Sequence, residues 1–185
     1  MKTRWSFFTD QAVSDDKDTS NKDVTEFRET SGDQAMLSNQ ELFIRDTKRE
    51  ELGRICEMER GEARSFITPY SLDRHQVEFT KPEVVYKSIW RGDQHIGFFI
   101  LVLDSDARSV EFRRIVVTEP GCGYGKKVVR MVDEICRDEL SRGRVWLDVF
   151  ETNKRARHVY EQCGYCTFGS FEHEGKTLLL YEKAV

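Results

Sequence analysis

A glycine-rich loop between residues 119 and 127 reads EPGCGYGKK and carries the clearest chemical signal in the chain. Three of the chain's twelve glycines, Gly121, Gly123 and Gly125, fall within five consecutive residues. Glycine lets backbone N–H groups approach a ligand closely. The first N–H groups of a helix have no partner inside the helix, and they carry the positive end of its dipole. Because a helix-like apolar run follows, we predict that this glycine loop binds a phosphate group.

Two common nucleotide-binding loops do not fit these residues. A Walker A loop, G-x-x-x-x-G-K-[ST], would need glycine at Pro120 and a hydroxyl residue at Lys127. The dinucleotide fingerprint G-x-G-x-x-G would place its third glycine on Lys126 or on Val128. The phosphate therefore belongs to a different class of ligand.

Four potential zinc ligands form a second pattern near the C-terminus, and they are His158, Cys163, Cys166 and His173. The two cysteines have the spacing of metal ligands. However, Cys163 lies on the apolar face of a predicted helix, and Cys166 begins a predicted strand. Cysteine packs in such places as a small apolar side chain. We therefore expect no metal here.

The elements around the glycine loop predict an α/β fold. Apolar periodicity predicts strands at 41–46, 84–90, 95–104, 109–117, 144–150, 166–172 and 177–183. It predicts helices at 47–58, 61–79 (interrupted near Pro69), 126–140 and 153–164. The order predicts a mixed sheet with helices on its faces.

Composition indicates a globular protein. The 185 residues are 38% hydrophobic and 34% charged, with a net charge of −4, which argues against general binding of nucleic acid. Five scattered cysteines favour reduced thiols and a cytoplasmic location. We expect no secretory signal and no membrane span.

The N-terminal segment differs in composition from the rest of the chain. Residues 1–38 carry five basic and eight acidic side chains, and this polar composition predicts a flexible arm ahead of a domain at 39–185. The arm is a candidate for forming a homodimer.

Two segments together resemble the GNAT superfamily of N-acetyltransferases. In that family a Q/R-x-x-G-x-G/A loop at a helix N-terminus wraps the pyrophosphate of CoA, as the glycine loop here would. The stretch VWLDVFETNKRARHVYEQCGY, at 145–165, resembles the strand and helix that follow in the family. The matching positions are Asn153, Ala156, Tyr160, Glu161, Gly164 and Tyr165. The resemblance covers about residues 41–183 and is closest to the branch that acetylates ribosomal proteins and N-terminal alanine.

The resemblance implies a fold, a reaction and a cofactor site. The fold is the acyl-CoA N-acyltransferase fold, with a mixed, mostly antiparallel sheet of about seven strands and helices on both faces. The reaction is direct transfer of the acetyl group of acetyl-CoA to a primary amine, with no metal and no covalent enzyme intermediate. The implied cofactor contacts are the backbone of Ile115, Val116 and Val117, the loop residues Gly121, Cys122, Gly123, Tyr124, Gly125, Lys126 and Lys127, and Asn153 and Tyr160.

The family's catalytic residues map onto three side chains. Tyr160 matches the helix tyrosine that protonates the departing thiolate, a role that suits a phenol because it keeps its proton at neutral pH. Asp148 and Glu111 match two acidic positions that accept the amine's proton. Each carboxylate could instead pair with Arg113 or Arg114, because buried charges are normally paired. Tyr160 could instead be a core residue with its hydroxyl at the surface.

One departure from the family pattern affects the glycine loop. The family's Arg or Gln falls on Pro120, which donates no hydrogen bond. Lys126 or Lys127 would compensate as positive charges near the pyrophosphate. The alternative function is therefore a CoA-binding regulatory or interaction module without activity. A protein N-terminus is the first expectation for the acceptor, and a polyamine, an amino acid or an aminoglycoside-like drug would also suit an acidic protein.

Overall fold

A seven-stranded sheet forms the centre of the protein, with strand order β1-β2-β3-β4-β5-β7-β6. The structure, a computed structural model, describes residues 41–61 and 66–185. The strands are β1 (Leu42–Asp46), β2 (Val84–Arg91), β3 (Gln94–Leu103), β4 (Ser109–Val117), β5 (Arg144–Phe150), β6 (Cys166–His173) and β7 (Lys176–Ala184). The helices are α1 (Leu52–Arg60), α2 (Leu72–Phe79), α3 (Tyr124–Glu134) and α4 (Lys154–Gln162). The predicted fold class and order of elements are confirmed.

The parallel pair β4 and β5 is the exception in an otherwise antiparallel sheet. Its ladder has three residue pairs, and the last of them joins Glu111 to Trp146. Beyond that pair the strands diverge, although β4 continues to Val117 and β5 continues to Phe150. We call the gap between these two strand ends the slot.

Apolar side chains cover both faces of the sheet. On one face, α3 and α4 pack against the sheet through buried residues that include Val128, Val132 and Tyr160. On the other face, α1 packs through Leu52 and Ile55. Successive side chains along a strand point to opposite sides of the sheet, so each strand contributes residues to both faces. The slot therefore has one wall on each strand and a helical layer above and below it.

Two helices differ from their predicted form. Residues 66–71, predicted as part of a helix, are turn and irregular backbone, and α2 begins only after Ser71, whose hydroxyl accepts a hydrogen bond from the N–H of Arg74. The predicted interruption near Pro69 is confirmed, since proline disfavours a helical conformation at the residue before it, and the irregular segment extends over residues 66–71. The end of the predicted third helix, Ile135–Glu139, is π-helical.

Some predictions fall on residues outside those that the structure describes. The predicted arm, residues 1–38, is one of them, and its flexibility and its role in a dimer stay predictions. In the described part of the chain, no helix has both the length and the apolar character that crossing a membrane requires.

Candidate active site

The glycine loop ends at the N-terminus of α3, as predicted. Gly121 and Gly123 have φ values of 80° and 73°, in the left-handed region that favours glycine, and Gly123 is the residue that precedes the helix. A Cβ atom placed on either glycine would meet nothing within 4 Å. The backbone N–H groups here are therefore accessible, and they lie at the positive end of α3. This geometry suits an anionic phosphate group.

Three positively charged side chains lie near the glycine loop, and they differ in the contacts they already make. The Lys126 Nζ atom donates a hydrogen bond to Gln162 Oε1 at 2.7 Å, which ties α3 to α4. The Lys127 Nζ atom lies 6.0 Å from the centre of the Tyr124 ring. Arg91, from β2, lies against the loop and donates a hydrogen bond to Glu119 at 2.8 Å. Lys127 is thus the lysine better placed to meet a phosphate without breaking an existing contact.

The slot exposes one edge of β4 to a ligand. On its other edge, Ile115, Val116 and Val117 pair with β3. Because β5 has diverged at this level, the backbone groups of β4 that point into the slot have no strand beside them. Unpaired backbone N–H and C=O groups at a strand edge bind extended ligands by adding them to the sheet. The amides of the pantetheine arm of acetyl-CoA have the groups needed for this pairing.

Gly97, on β3, is a site residue that the sequence analysis missed. It pairs with Val117, and a Cβ atom at this position would lie 2.3 Å from the carbonyl oxygen of Val116. No real Cβ is found so close to an oxygen, so glycine is required for β3 to approach the end of β4. A single glycine inside an apolar strand was the available signal, since it often marks a close backbone approach.

We predict that Gly97→Ala weakens acetyl-CoA binding, because the added methyl group displaces the end of β4 toward the slot. The overpacking should also lower the free energy of unfolding by about 1–3 kcal/mol. Titration calorimetry and thermal unfolding measure the two effects. Gly143→Ala is the matched control, since a Cβ there meets nothing within 4 Å. An unchanged acetyl-CoA affinity in Gly97→Ala would show that β4 does not depend on this approach.

Tyr160 lies wholly inside the protein. It has no exposed surface, and its ring centre lies 5.8 Å from that of Tyr165 and 6.4 Å from that of Phe112. The expected surface position of the hydroxyl is therefore wrong, whereas the expected place of Tyr160 in the core is confirmed, so its packing and catalytic roles both stay predictions. The helix that carries Tyr160 begins at Asn153, whose side-chain oxygen accepts a hydrogen bond from the N–H of Ala156 at 3.1 Å. This cap, predicted from the sequence, fixes the start of α4 beside the slot.

The two candidate bases occupy different environments. Glu111 lies in the paired part of β4, and its carboxylate accepts hydrogen bonds from Arg113, the shorter at 2.7 Å. Burial acts to lower the pKa of Arg113, but the Glu111 carboxylate outweighs this effect and holds that pKa above its ordinary value. The alternative pairing with an arginine is thus observed for Glu111. Asp148 is 3% exposed and lies two residues beyond Trp146, where the slot has begun.

Three of the five cysteines, Cys56, Cys136 and Cys163, are buried packing residues, whereas Cys166 is exposed, so the packing expected for it was wrong. Within residues 41–61 and 66–185, no group of three or more His, Cys, Asp and Glu side chains is arranged to hold a metal ion. Cys163 is buried, and burial raises the pKa of its thiol. A thiol that holds its proton is a poor metal ligand. Cys122, in the glycine loop, is exposed.

Comparison with known proteins decides the family. The sequence model of the acetyltransferase (GNAT) family matches residues 51–165, more than half of the chain. The chain belongs to the GNAT family. It is therefore an acetyl-CoA-dependent N-acetyltransferase, and acetyl-CoA is its co-substrate. No curated protein sequence matches this GNAT enzyme significantly.

Solved structures share the fold of this GNAT enzyme. Spermidine N-acetyltransferase from Vibrio cholerae, in complex with CoA and spermine, is 19% identical, with a TM-score of 0.69 over 79% of this chain and 96% of that one. A dodecameric form of the Vibrio cholerae enzyme is 20% identical, with a TM-score of 0.66 over 79% and 95% of the two chains. At this identity the likeness establishes the fold. The expected acyl-CoA N-acyltransferase fold is confirmed.

Proposed function

We propose that this GNAT enzyme transfers the acetyl group of acetyl-CoA to a small cationic primary amine that enters the slot. The observation that carries the proposal is the divergence of β4 and β5 directly beside the N-terminus of α3. One ligand can therefore place a phosphate on the glycine loop and an extended arm along β4. The thioester at the end of that arm supplies an activated acetyl group.

Each step of the transfer has a candidate residue. The amine must lose a proton, and Asp148 at the slot is positioned to accept it, directly or through water. The carbonyl oxygen gains negative charge during the attack, and backbone N–H groups near Ile115 to Val117 stabilise that charge. Tyr160 donates a proton to the sulfur as the carbon–sulfur bond breaks. Asn153 and the glycine loop hold the cofactor in place.

Two classes of acceptor remain in competition. Spermidine and spermine are the first to test, because the structurally similar Vibrio cholerae enzyme is named for spermidine and was solved with spermine. The net charge of −4 also attracts cations. A protein N-terminus, the first expectation from the sequence, is the second candidate. A homodimer and a cytoplasmic location stay predictions, which light scattering and cell fractionation test.

The test is an acceptor panel with product detection by mass spectrometry. Spermidine, spermine and short peptides with a free N-terminus are incubated with enzyme and acetyl-CoA, and N-terminally blocked peptides serve as the control. Mass spectrometry is preferred to a thiol reagent because Cys122 and Cys166 are exposed and would react. Acetylated polyamine supports the proposal. Acetylation of the free peptides alone would assign the N-terminus instead, and no acetylated product at all would contradict the proposed function.

A further inference from the structure

A network of buried polar and charged groups joins α1 and α2 to β4. Glu59 on α1, His75 on α2 and Arg114 on β4 each have 0% exposure. The Glu59 carboxylate accepts a hydrogen bond from an Arg114 nitrogen, and its other oxygen accepts one from the N–H of Tyr70 at 2.6 Å. His75 Nε2 lies 3.5 Å from Glu59. We call Glu59, Arg114, His75 and Tyr70 the buried charge network.

Further contacts of this network hold residues 66–71 against the sheet. A second Arg114 nitrogen donates a hydrogen bond to the carbonyl oxygen of Thr68 at 3.2 Å. The guanidinium carbons of Arg114 and Arg74 each lie 3.9 Å from the centre of the Tyr70 ring. One of these arginines comes from α2 and the other from β4. The irregular segment before α2 is thereby fixed from two sides.

Arg114 occupies a particular position on β4. Opposite Ile100 and Leu101 the register shifts, so that Arg113 is an extra residue and Arg114 follows it directly. Such a bulge redirects the backbone that comes after it. The residues that come after it are Ile115 to Val117, which form the slot's edge. The buried charge network is therefore attached where the direction of that edge is set.

The network holds a charged carboxylate at a fully buried position. Although burial opposes ionisation, the nearby His75 ring and the Arg114 guanidinium hold the pKa of Glu59 below its ordinary value. The carboxylate is thus charged in an otherwise apolar cluster. Replacing a buried ion pair by apolar side chains of similar volume is often neutral or stabilising. What apolar side chains could not supply is the set of directional hydrogen bonds by which Glu59 and Arg114 hold Tyr70 and Thr68 at fixed positions relative to β4.

We propose that the buried charge network is a positioning device, which fixes the direction of the β4 edge so that the thioester held along it is aligned for attack by the amine. The inference rests on the proposed function, because it takes the β4 edge as the thioester site. It assigns no contact with either substrate to Glu59, His75 or Arg114. These residues act through the backbone of β4 and through the segment before α2.

The test separates turnover from stability in the full-length enzyme. In Glu59→Met/Arg114→Met, both charges are replaced by apolar side chains of similar length. We expect the double variant to fold with a lower melting temperature, because the Tyr70 N–H and the Thr68 carbonyl lose these partners, and with an unchanged stoichiometry of acetyl-CoA binding. We expect kcat to fall on the order of 10- to 100-fold, the scale of a small misalignment of reactants. Full kcat in a folded double variant would overturn the inference.

Two further variants keep the test decisive. Arg114→Lys retains the positive charge but loses the contacts with Thr68 and Tyr70, and we expect its kcat to fall as well; full kcat here would also overturn the inference. Arg144→Met/Glu182→Met is the control, since it removes a strand ion pair of 2.7 Å at the closed end of the slot. Its kcat should not change, and a fall equal to that of the first double variant would count against a specific role. An unaltered enzyme that acetylates no amine would overturn the proposed function, and this inference with it.

Discussion

Tyr160→Phe should lower kcat on the order of 10²- to 10⁴-fold while leaving acetyl-CoA affinity nearly unchanged, as expected for loss of a general acid. The substitution removes one oxygen from a side chain that is fully buried among aromatic rings, so packing is retained. What is lost is the proton that the leaving sulfur would receive. Steady-state kinetics with saturating acetyl-CoA, combined with calorimetry, measure the two quantities.

Tyr165→Phe is the matched control for this prediction. Tyr165 is also buried, and its hydroxyl donates a hydrogen bond to Asp133 at 2.6 Å. Its loss should lower the free energy of unfolding by about 1–3 kcal/mol, with little change in kcat. If Tyr160→Phe turned over as fast as the unaltered enzyme, Tyr160 would be a packing residue only.

Asp148→Asn should lower kcat on the order of 10²- to 10⁴-fold and remove the fall of kcat on the acid side of its pH profile. A carboxylate accepts a proton only when it is ionised. Activity that depends on a carboxylate base is therefore lost as pH falls through the pKa of that carboxylate. Asparagine cannot ionise and leaves no such dependence. The measurement is kcat against pH at saturating amine.

Glu111→Gln distinguishes the two carboxylates. Glu111 lies before the slot begins and is held by Arg113, so we expect its replacement to lower stability and to keep the acid limb of the profile. The reverse result, an acid limb lost in Glu111→Gln and kept in Asp148→Asn, would exchange the two roles. An acid limb retained in both variants would dismiss both as the base.

Local patterns were enough to predict the fold and the glycine loop. Alternating and helical periodicities depend on neighbours along the chain, and so does the cap at Asn153, which the structure confirms. The break near Pro69 was predicted, but its extent over residues 66–71 was not, because the contacts of that segment are made with distant residues. Thr68 and Tyr70 are held by Arg114 and Glu59, and no local pattern encodes such contacts.

The rest of the site depends on how strands meet. Glu111 and Asp148 looked alike in sequence, as carboxylates inside apolar strands. Only the point where β4 and β5 diverge separates them, and this point is set by pairing across the sheet. Gly97 likewise gains its meaning from the Val116 carbonyl on the neighbouring strand. The buried charge network was missed because its members are spread from residue 59 to residue 114.

The central claim is that the glycine loop and the slot bind acetyl-CoA, and titration calorimetry of the purified protein with acetyl-CoA and with CoA tests it most directly. The account predicts binding of both in the micromolar range. The N–H groups at the start of α3 hold the pyrophosphate even though Pro120 stands where the family has a hydrogen-bonding Arg or Gln. Absence of binding at millimolar cofactor would contradict it. Pro120 would then have disabled the loop, and the chain would have to be regarded as an interaction module without acetyltransferase activity.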